Sequence, residues 1–411
     1  MSTPGIDVYA STLRKYPMNK EDVVRVLPLS SWHATNDLFL NTARHSPVKA
    51  GTEMAVFINY RLADVDLDKY FNEPGSTRNP EINQMMVEGH QPLVDSYFDT
   101  AWTEDELAKA GYVFDLAGGK PAFRENGEAL IKFLMERRLR NYAEYLQAME
   151  ASYYRLPVLT GAHKTPHGLP YWLRPLTAAQ AATATISGAF QGANPYLRSE
   201  DDSSGTAGTS TTDWLGIDIS AAKYKGLRNW NAGWDAASAA DVQLSETNLT
   251  RIADAMRNTN ITVPTVLQSK GLDPISASGL KMMTDEFMIR EFGRVARANN
   301  DDLGGNAIQY MLSPTGTGTT VNGLPVHWSR ELDSLPTNAD NVAAYGSHPL
   351  YMVNNNHMSL RYRTQKWLRE RPVARDELHV PDKAVIYTDT TCNFCATDPQ
   401  RLGAVISYVA E

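Results

Sequence analysis

The stretch GEALIKFLMERRLRNYAEYLQAMEASY (127–153) is the most regular in the chain, and its reading decides what the rest must be built around. Leu130, Phe133, Leu134, Tyr142, Leu146, Met149 and Tyr153 recur at helical spacing. No proline interrupts them, and Gly127 stands only at the start. At 1.5 Å per residue such a helix is about 40 Å long. Its opposite face carries Glu136, Arg137, Arg140 and Glu144, and so meets water or another subunit.

Upstream of this helix the pattern is extended. GTEMAVFINYRLADVDLDKYF (51–71) reads as a strand from Met54 to Leu62, and QPLVDSYFDTAW (91–102) as a second extended segment. The breaker-rich NEPGSTRNPEIN (72–83) lies between them, so together they predict a long hairpin-like excursion with a polar tip. Residues 1–50 have no sustained period and read as an extended arm with short helices.

Downstream, the Pro- and Gly-rich LPVLTGAHKTPHGLPYWLRP (156–175) ends the helix. RSEDDSSGTAGTSTTDW (198–214) is polar and of low complexity, and predicts an exposed loop. LSETNLTRIADAMRN (244–258) places Leu249, Ile252 and Met256 on one helical face, with Ser245 as N-cap. ITVPTVLQ (261–268) reads as a strand. ASGLKMMTDEFMIREFGRVARANN (277–300) reads as one amphipathic helix through Leu280, Met283, Phe287 and Val295. VNGLPVHW, HPLYMVN, MSLRYRTQKWL, KAVIYTDTTCNF and GAVISYVAE then alternate short strands with turns to the end of the chain. No fixed-period repeat is present. The fold class is α+β.

Bulk properties narrow the function. A chain of 411 residues implies two or three structural units, and 42% hydrophobic residues suffice for a buried core. A formal net charge of −8 makes a poor general binder of nucleic acid, since phosphate contact needs clustered Lys and Arg. Two cysteines cannot build a disulfide framework, so a reducing cytosol is the default. The N-terminus lacks the apolar run of a signal peptide, and no stretch approaches the ~20 apolar residues that span a bilayer.

The chemical motifs are incomplete. Cys392 and Cys395 are spaced C-x-x-C, as in half a zinc site or a redox pair. A zinc site needs two further ligands, and His163 and His167 in HKTPH stand over 200 residues away. A redox pair should open a helix, whereas this one follows a strand-like segment and precedes the turn ATDPQR. The bland reading is two small, half-buried residues at a strand end. LAGGKPAF (116–123) lacks the leading Gly and the Ser or Thr of a phosphate loop. SPTGTGTTVNGLP (313–325) reads as a flexible β connection, and Asp64, Asp66 and Asp68 as a solvated strand edge without the Gly and Glu of a calcium loop. The basic run RYRTQKWLRERPVARDE (361–377) reads as a solvated face or a subunit contact. No catalytic, cofactor-binding or metal-binding set emerges, and no cofactor is expected. The alternative left standing is a soluble thiol- or zinc-dependent enzyme using Cys392 and Cys395.

The order of segments resembles the major capsid protein of tailed bacteriophages, the Hong Kong 97-type fold. ANNDDLGGNAIQYM (298–311) and VNGLPVHWSRELD (321–333) are similar to the family's Asn-Asp and Leu-Gly run, its Gly-hydrophobic-Pro-Val strand and its Leu-Asp step. HPLYMVNNNHMSLRYR (348–363) resembles its Pro-x-Tyr-x-x-Asn strand, and YTDTTCNFCATDPQRLGAVIS (387–407) its closing strands. SYYRLPVLTG, HGLPYWL and RNWNAGWD follow the long helix in the matching order, so the resemblance spans most of 50–411. One departure is Asp398-Pro399-Gln400-Arg401, where members of the family often carry several arginines.

The resemblance implies a Hong Kong 97-like architecture. An N-terminal arm would span 1–50 and an extended loop lying over a neighbour 51–115. A peripheral domain would take 116–239 and 371–411, with its spine helix at 127–153, and an axial domain 240–370. It implies a non-enzymatic structural protein that self-assembles into pentamers and hexamers of an icosahedral shell around double-stranded DNA. The implied partners are other copies of the chain, scaffold, portal and cement or decoration proteins, and packaged DNA without sequence specificity, with no membrane. The implied location is the virion, after assembly in the host cytoplasm. A short arm implies that no scaffolding segment is attached.

Overall fold

The computed structural model describes residues 44–48, 53–59, 86–103, 127–157, 165–173, 189–190, 229–259, 280–298, 308–309, 319–321, 324–333, 347–354, 357–371, 374–375, 383–396 and 402–408. Most of the arm, the tip of the excursion, LAGGKPAF, the 198–214 loop and the 261–268 strand lie outside the described residues.

Strands β1 (Arg44–Val48), β2 (Glu53–Asn59), β3 (Met86–Pro92) and β4 (Val94–Thr103) precede helix α1 (Gly127–Tyr153). The single turn α2 (Leu169–Trp172), β5 (Ala189–Phe190), β6 (Trp230–Gly233) and helix α3 (Glu246–Asn258) follow. Next come β7 (Leu280–Thr284), helix α4 (Glu286–Ala298), β8 (Ile308–Gln309), β9 (Thr319–Val321), β10 (Leu324–Trp328) and the turn α5 (Arg330–Asp333). The chain closes with β11 (Ser347–Asn354), β12 (Met358–Arg363), β13 (Arg369–Glu370), β14 (Ala374–Arg375), β15 (Lys383–Ala396) and β16 (Gly403–Tyr408). Helix and strand are mixed, as the periodicities required.

Eight strands form the central sheet in the order β5-β6-β16-β11-β7-β10-β9-β8. Its middle strands are apolar on both faces because each face has its own core. Met282, Leu350, Met352, Ala404 and Ile406 pack with Trp230 and the α3 and α4 side chains Ile252, Met288 and Phe292. Their neighbours Met283, Tyr351, Val353 and Val405 point the other way, into a core with Tyr145, Met149 and Tyr153 of α1 and Phe394 of β15. Period-two alternation places consecutive residues in different cores, which is why the strands read as continuous hydrophobic runs. At Gly403 an added Cβ would lie 1.8 Å from the Met352 carbonyl oxygen, so β16 can lie this close to β11 only with glycine there.

This arrangement corrects the single helix expected over 277–300. Leu280–Thr284 is a strand between β11 and β10, and the helix begins only at Glu286. Met282 and Met283 are both buried, on opposite faces, which a one-sided helix would not permit. Asp285 makes the break: its Oδ1 accepts from the Met288 amide at 3.0 Å and caps α4. The expected cap of α3 is present too, with Ser245 Oγ accepting from the Asn248 amide at 3.3 Å.

The second sheet is built on the 14-residue strand β15. Cys392 pairs with Val94 on one side and Tyr362 on the other, and Asp389 with Tyr97 and Arg369. Thus β4 forms one edge, while β12, β13 and β14 share the opposite side of β15 in turn. β1 adds in parallel beyond β12.

Helix α1 spans the predicted residues and packs on the inner face of β4. Phe98 stacks on Tyr145 with ring centroids 4.9 Å apart, and Asn141 Nδ2 donates to the Asp99 carbonyl at 2.8 Å. Tyr145, Met149 and Tyr153 are buried, and Leu146 is partly buried against the same core. At the helix end, 165–168 folds back tightly. A Cβ on Gly168 would stand 2.4–2.6 Å from the carbonyl oxygens of Arg155, Ser152 and Tyr153, so only glycine fits.

β2 and β3 stand apart as a two-stranded antiparallel sheet, in register from Glu53↔Pro92 to Asn59↔Met86. A two-stranded excursion was expected here, but its second strand is corrected: β2 pairs with 86–92, while the extended segment expected at 91–102 is mostly β4, which joins the body beside β15 with Val94 and Trp102 buried. Neither strand pairs with any other described strand.

Candidate functional site

The cysteines lie in the last five residues of β15, near the strand end as expected, but they are 1% and 0% exposed rather than half-buried. The strand continues to Ala396 because β12 pairs with it from Tyr362↔Cys392 to Met358↔Ala396. Burial pushes both thiols up to about 12, so at neutral pH they are protonated and poor nucleophiles. Among the described residues, no three His, Cys, Asp or Glu side chains converge as a metal site. His163 lies outside the described residues.

The residues between the cysteines carry the polar structure. Asn393 Oδ1 accepts from the His167 amide at 2.7 Å and from the Phe394 amide at 2.8 Å, and its Nδ2 donates to the Pro92 carbonyl at 2.7 Å. Gln91 Nε2 donates to the Phe394 carbonyl at 2.8 Å and to His167 Nδ1 at 2.7 Å. An amide nitrogen only donates, so Nδ1 accepts and the imidazole proton sits on Nε2. The His167 ring stacks on Tyr171 at 4.2 Å, and burial lowers its pKa to about 3, which keeps it neutral. This cluster joins segments 76 and 303 residues apart at the point where the β2–β3 excursion enters the body. Nothing in the spacing of Gln91, His167 and Asn393 signals their meeting. The fold brings His167 beside the C-x-x-C segment, with its Nδ1 engaged by Gln91.

The outward face of β4 and β15 is the other distinctive surface. Alternation along Asp95-Ser96-Tyr97-Phe98-Asp99 turns Phe98 to α1 and leaves Tyr97 73% exposed. Tyr387, opposite Asp99, is 36% exposed, and these two are the large hydrophobic side chains left exposed among the described residues. Asp389 pairs with Arg371 at 2.6 Å, and Asp95 lies 3.6 Å from Lys366. Arg138 of α1 pairs with Glu370. The basic run at 361–371 is thus partly engaged within the chain, on β12 and β13. The 313–325 segment supplies β9 and β10, with Asn322-Gly323 between the register partners Val321 and Leu324.

No protein-family model matches the sequence, and no curated protein does either. Solved structures do. The chain is similar to a cyanophage A-1(L) capsid protein, at 14% identity over 92% of this chain and 93% of that one, with a TM-score of 0.48. It is similar to the capsid protein of a native GTA particle at 12% identity, 92% of each chain and a TM-score of 0.45. It is also similar to the holo-SrpI encapsulin of Synechococcus elongatus PCC 7942, at 10% identity over 100% of this chain and 96% of that one, with a TM-score of 0.40. Phage capsids are among the solved structures this chain resembles. No helix among the described residues is long and apolar enough to cross a membrane.

Proposed function

We propose that this chain is a non-enzymatic major capsid protein of a tailed phage. Copies assemble through pentamers and hexamers into an icosahedral shell enclosing double-stranded DNA. The observation that carries this reading is the β2–β3 excursion. It is a lone two-stranded sheet pairing with no other described strand, yet its root is fixed by the buried Gln91–His167–Asn393 cluster. A two-stranded hairpin is marginal in water by itself, and its open edges are a hazard unless something covers them. Anchoring such an element firmly is sensible when a neighbouring subunit does the covering. Many modest contacts of this kind, repeated around a closed shell, sum to a stable assembly.

In this reading 1–50 is the arm and 51–115 the extended loop. Residues 116–239 and 371–411 form the peripheral domain on the α1 spine, and 240–370 the axial domain. β16 then carries the end of the chain into the central sheet beside β11. The net charge of −8 favours enclosing DNA without trapping it by bulk charge. Scaffold, portal and cement proteins are the further partners, and the virion, assembled in the host cytoplasm, is the location. Sedimentation velocity of the purified chain tests the proposal. Rapidly sedimenting closed particles are expected; a chain that stays monomeric under every salt and crowding condition would refute it.

A further inference from the structure

We propose that the Tyr97 edge of the six-stranded sheet is a head-to-tail contact, receiving the Arg369 edge of a second copy of this chain. The inference rests on the shell reading and names one contact within it. Tyr97 and Tyr387 are the large hydrophobic side chains exposed among the described residues, and they fall on one face. Tyr97 lies opposite Asp389 and Tyr387 opposite Asp99, so tyrosines and carboxylates alternate in a small checkerboard. Tyrosine is enriched at the buried centres of protein contacts, where it gives a large apolar area with few torsions to fix.

Charge selects the occupant. Asp95 and Asp389 have Lys366 and Arg371 as partners, whereas Asp99 has no ion-pair partner among the described residues. The register row Arg369–Asp389–Tyr97 runs across β13, β15 and β4, so a cation ends the row on one side and a tyrosine on the other. Arg369 is exposed, and Arg361, Arg363, Lys366 and Arg371 belong to the same basic segment. Two copies laid side by side in one orientation therefore bring an arginine edge against an aspartate–tyrosine edge. Guanidinium pairs with Asp99 and packs on the Tyr97 ring. β4 suits the role as a ten-residue edge strand that, among the described strands, pairs only with β15. A contact of one edge with a different edge is heterologous, the type that closes into rings.

The test compares the assembly threshold, by light scattering and electron microscopy, of the full chain and of Y97S, D99R and D99R/R369E. Melting temperature of the unassembled fraction serves as the folding control. The proposal predicts that Y97S and D99R raise the concentration needed for assembly at least about tenfold, as loss of a contact-centre residue does, with melting unchanged. D99R/R369E restores assembly by exchanging the two charges. If the wild type forms shells and Y97S and D99R form them at the same concentration, this contact is wrong while the shell reading stands. Shells of Y97S that form normally but lose a second bound protein would assign the face to that protein and overturn the self-contact. A wild type that never assembles would remove both.

Discussion

Asn393 accepts from two backbone amides and donates to a backbone carbonyl, all within 2.8 Å and in a buried setting. Alanine at this position strands three groups, each costing about 1–3 kcal/mol when left unsatisfied. N393A should therefore lower the melting temperature by several degrees, measured by calorimetry, whereas alanine at Cys392 or Cys395 should cost less. Equal losses at all three positions would show that the cluster is not what matters in this segment. His167 makes the same cluster sensitive to acid. Its pKa is about 3 in the folded chain, against 6.5 in the unfolded one, and that of His327 is lowered by burial to about 4. Above pH 6.5 both states are neutral and there is no linkage. Below it the unfolded chain binds protons that the folded chain refuses, so stability falls by up to about 1.4 kcal/mol per pH unit per histidine. The loss levels off below the folded values. H167Q should flatten the pH dependence of denaturant midpoints between 6.5 and 3, and an unchanged slope would contradict the assignment.

At the scale of elements, the inner stripe of α1 was legible because 3.6-residue periodicity is a direct image of one buried face. The bounds 127–153 coincide with the helix, and Tyr142, Leu146, Met149 and Tyr153 all lie on the β4 and core side. Tyr145, four residues before Met149, belongs on the same stripe and was missed; its ring stacks on Phe98. M149A should destabilise by about 2–5 kcal/mol by opening a cavity in the shared core; denaturant unfolding with an unchanged midpoint would mean that the face is not packed. β7 was misread for a complementary reason. Leu280, Met283 and Phe287 fit helical spacing, but the segment is apolar on both faces and a capping aspartate divides strand from helix. Periodicity cannot distinguish a doubly buried strand from a buried helix over so short a run. The polar cluster at the excursion root was not legible at all, because its members are joined only by the fold.

For the whole molecule, the order of strands and helices was readable while their partnerships were not. Sequence placed the closing strands near the end of the chain; only the structure shows β16 between β6 and β11, and β15 between β4 and β12. Such pairings, some between segments hundreds of residues apart, leave no local signal. In the proposed shell, the excursion is the element that a neighbouring subunit covers. Replacing 56–88 with a short Gly-Ser turn keeps Gln91 and the root cluster, so the subunit should melt as before yet fail to form particles. Normal particles from that variant would free the excursion of any role in assembly. The most direct measurement is cryo-electron microscopy of the purified, assembled chain. The account predicts closed shells of five- and six-membered rings, with β2 and β3 lying against an adjacent subunit. A hairpin folded back on its own subunit, or a protein that forms no shell, would contradict it.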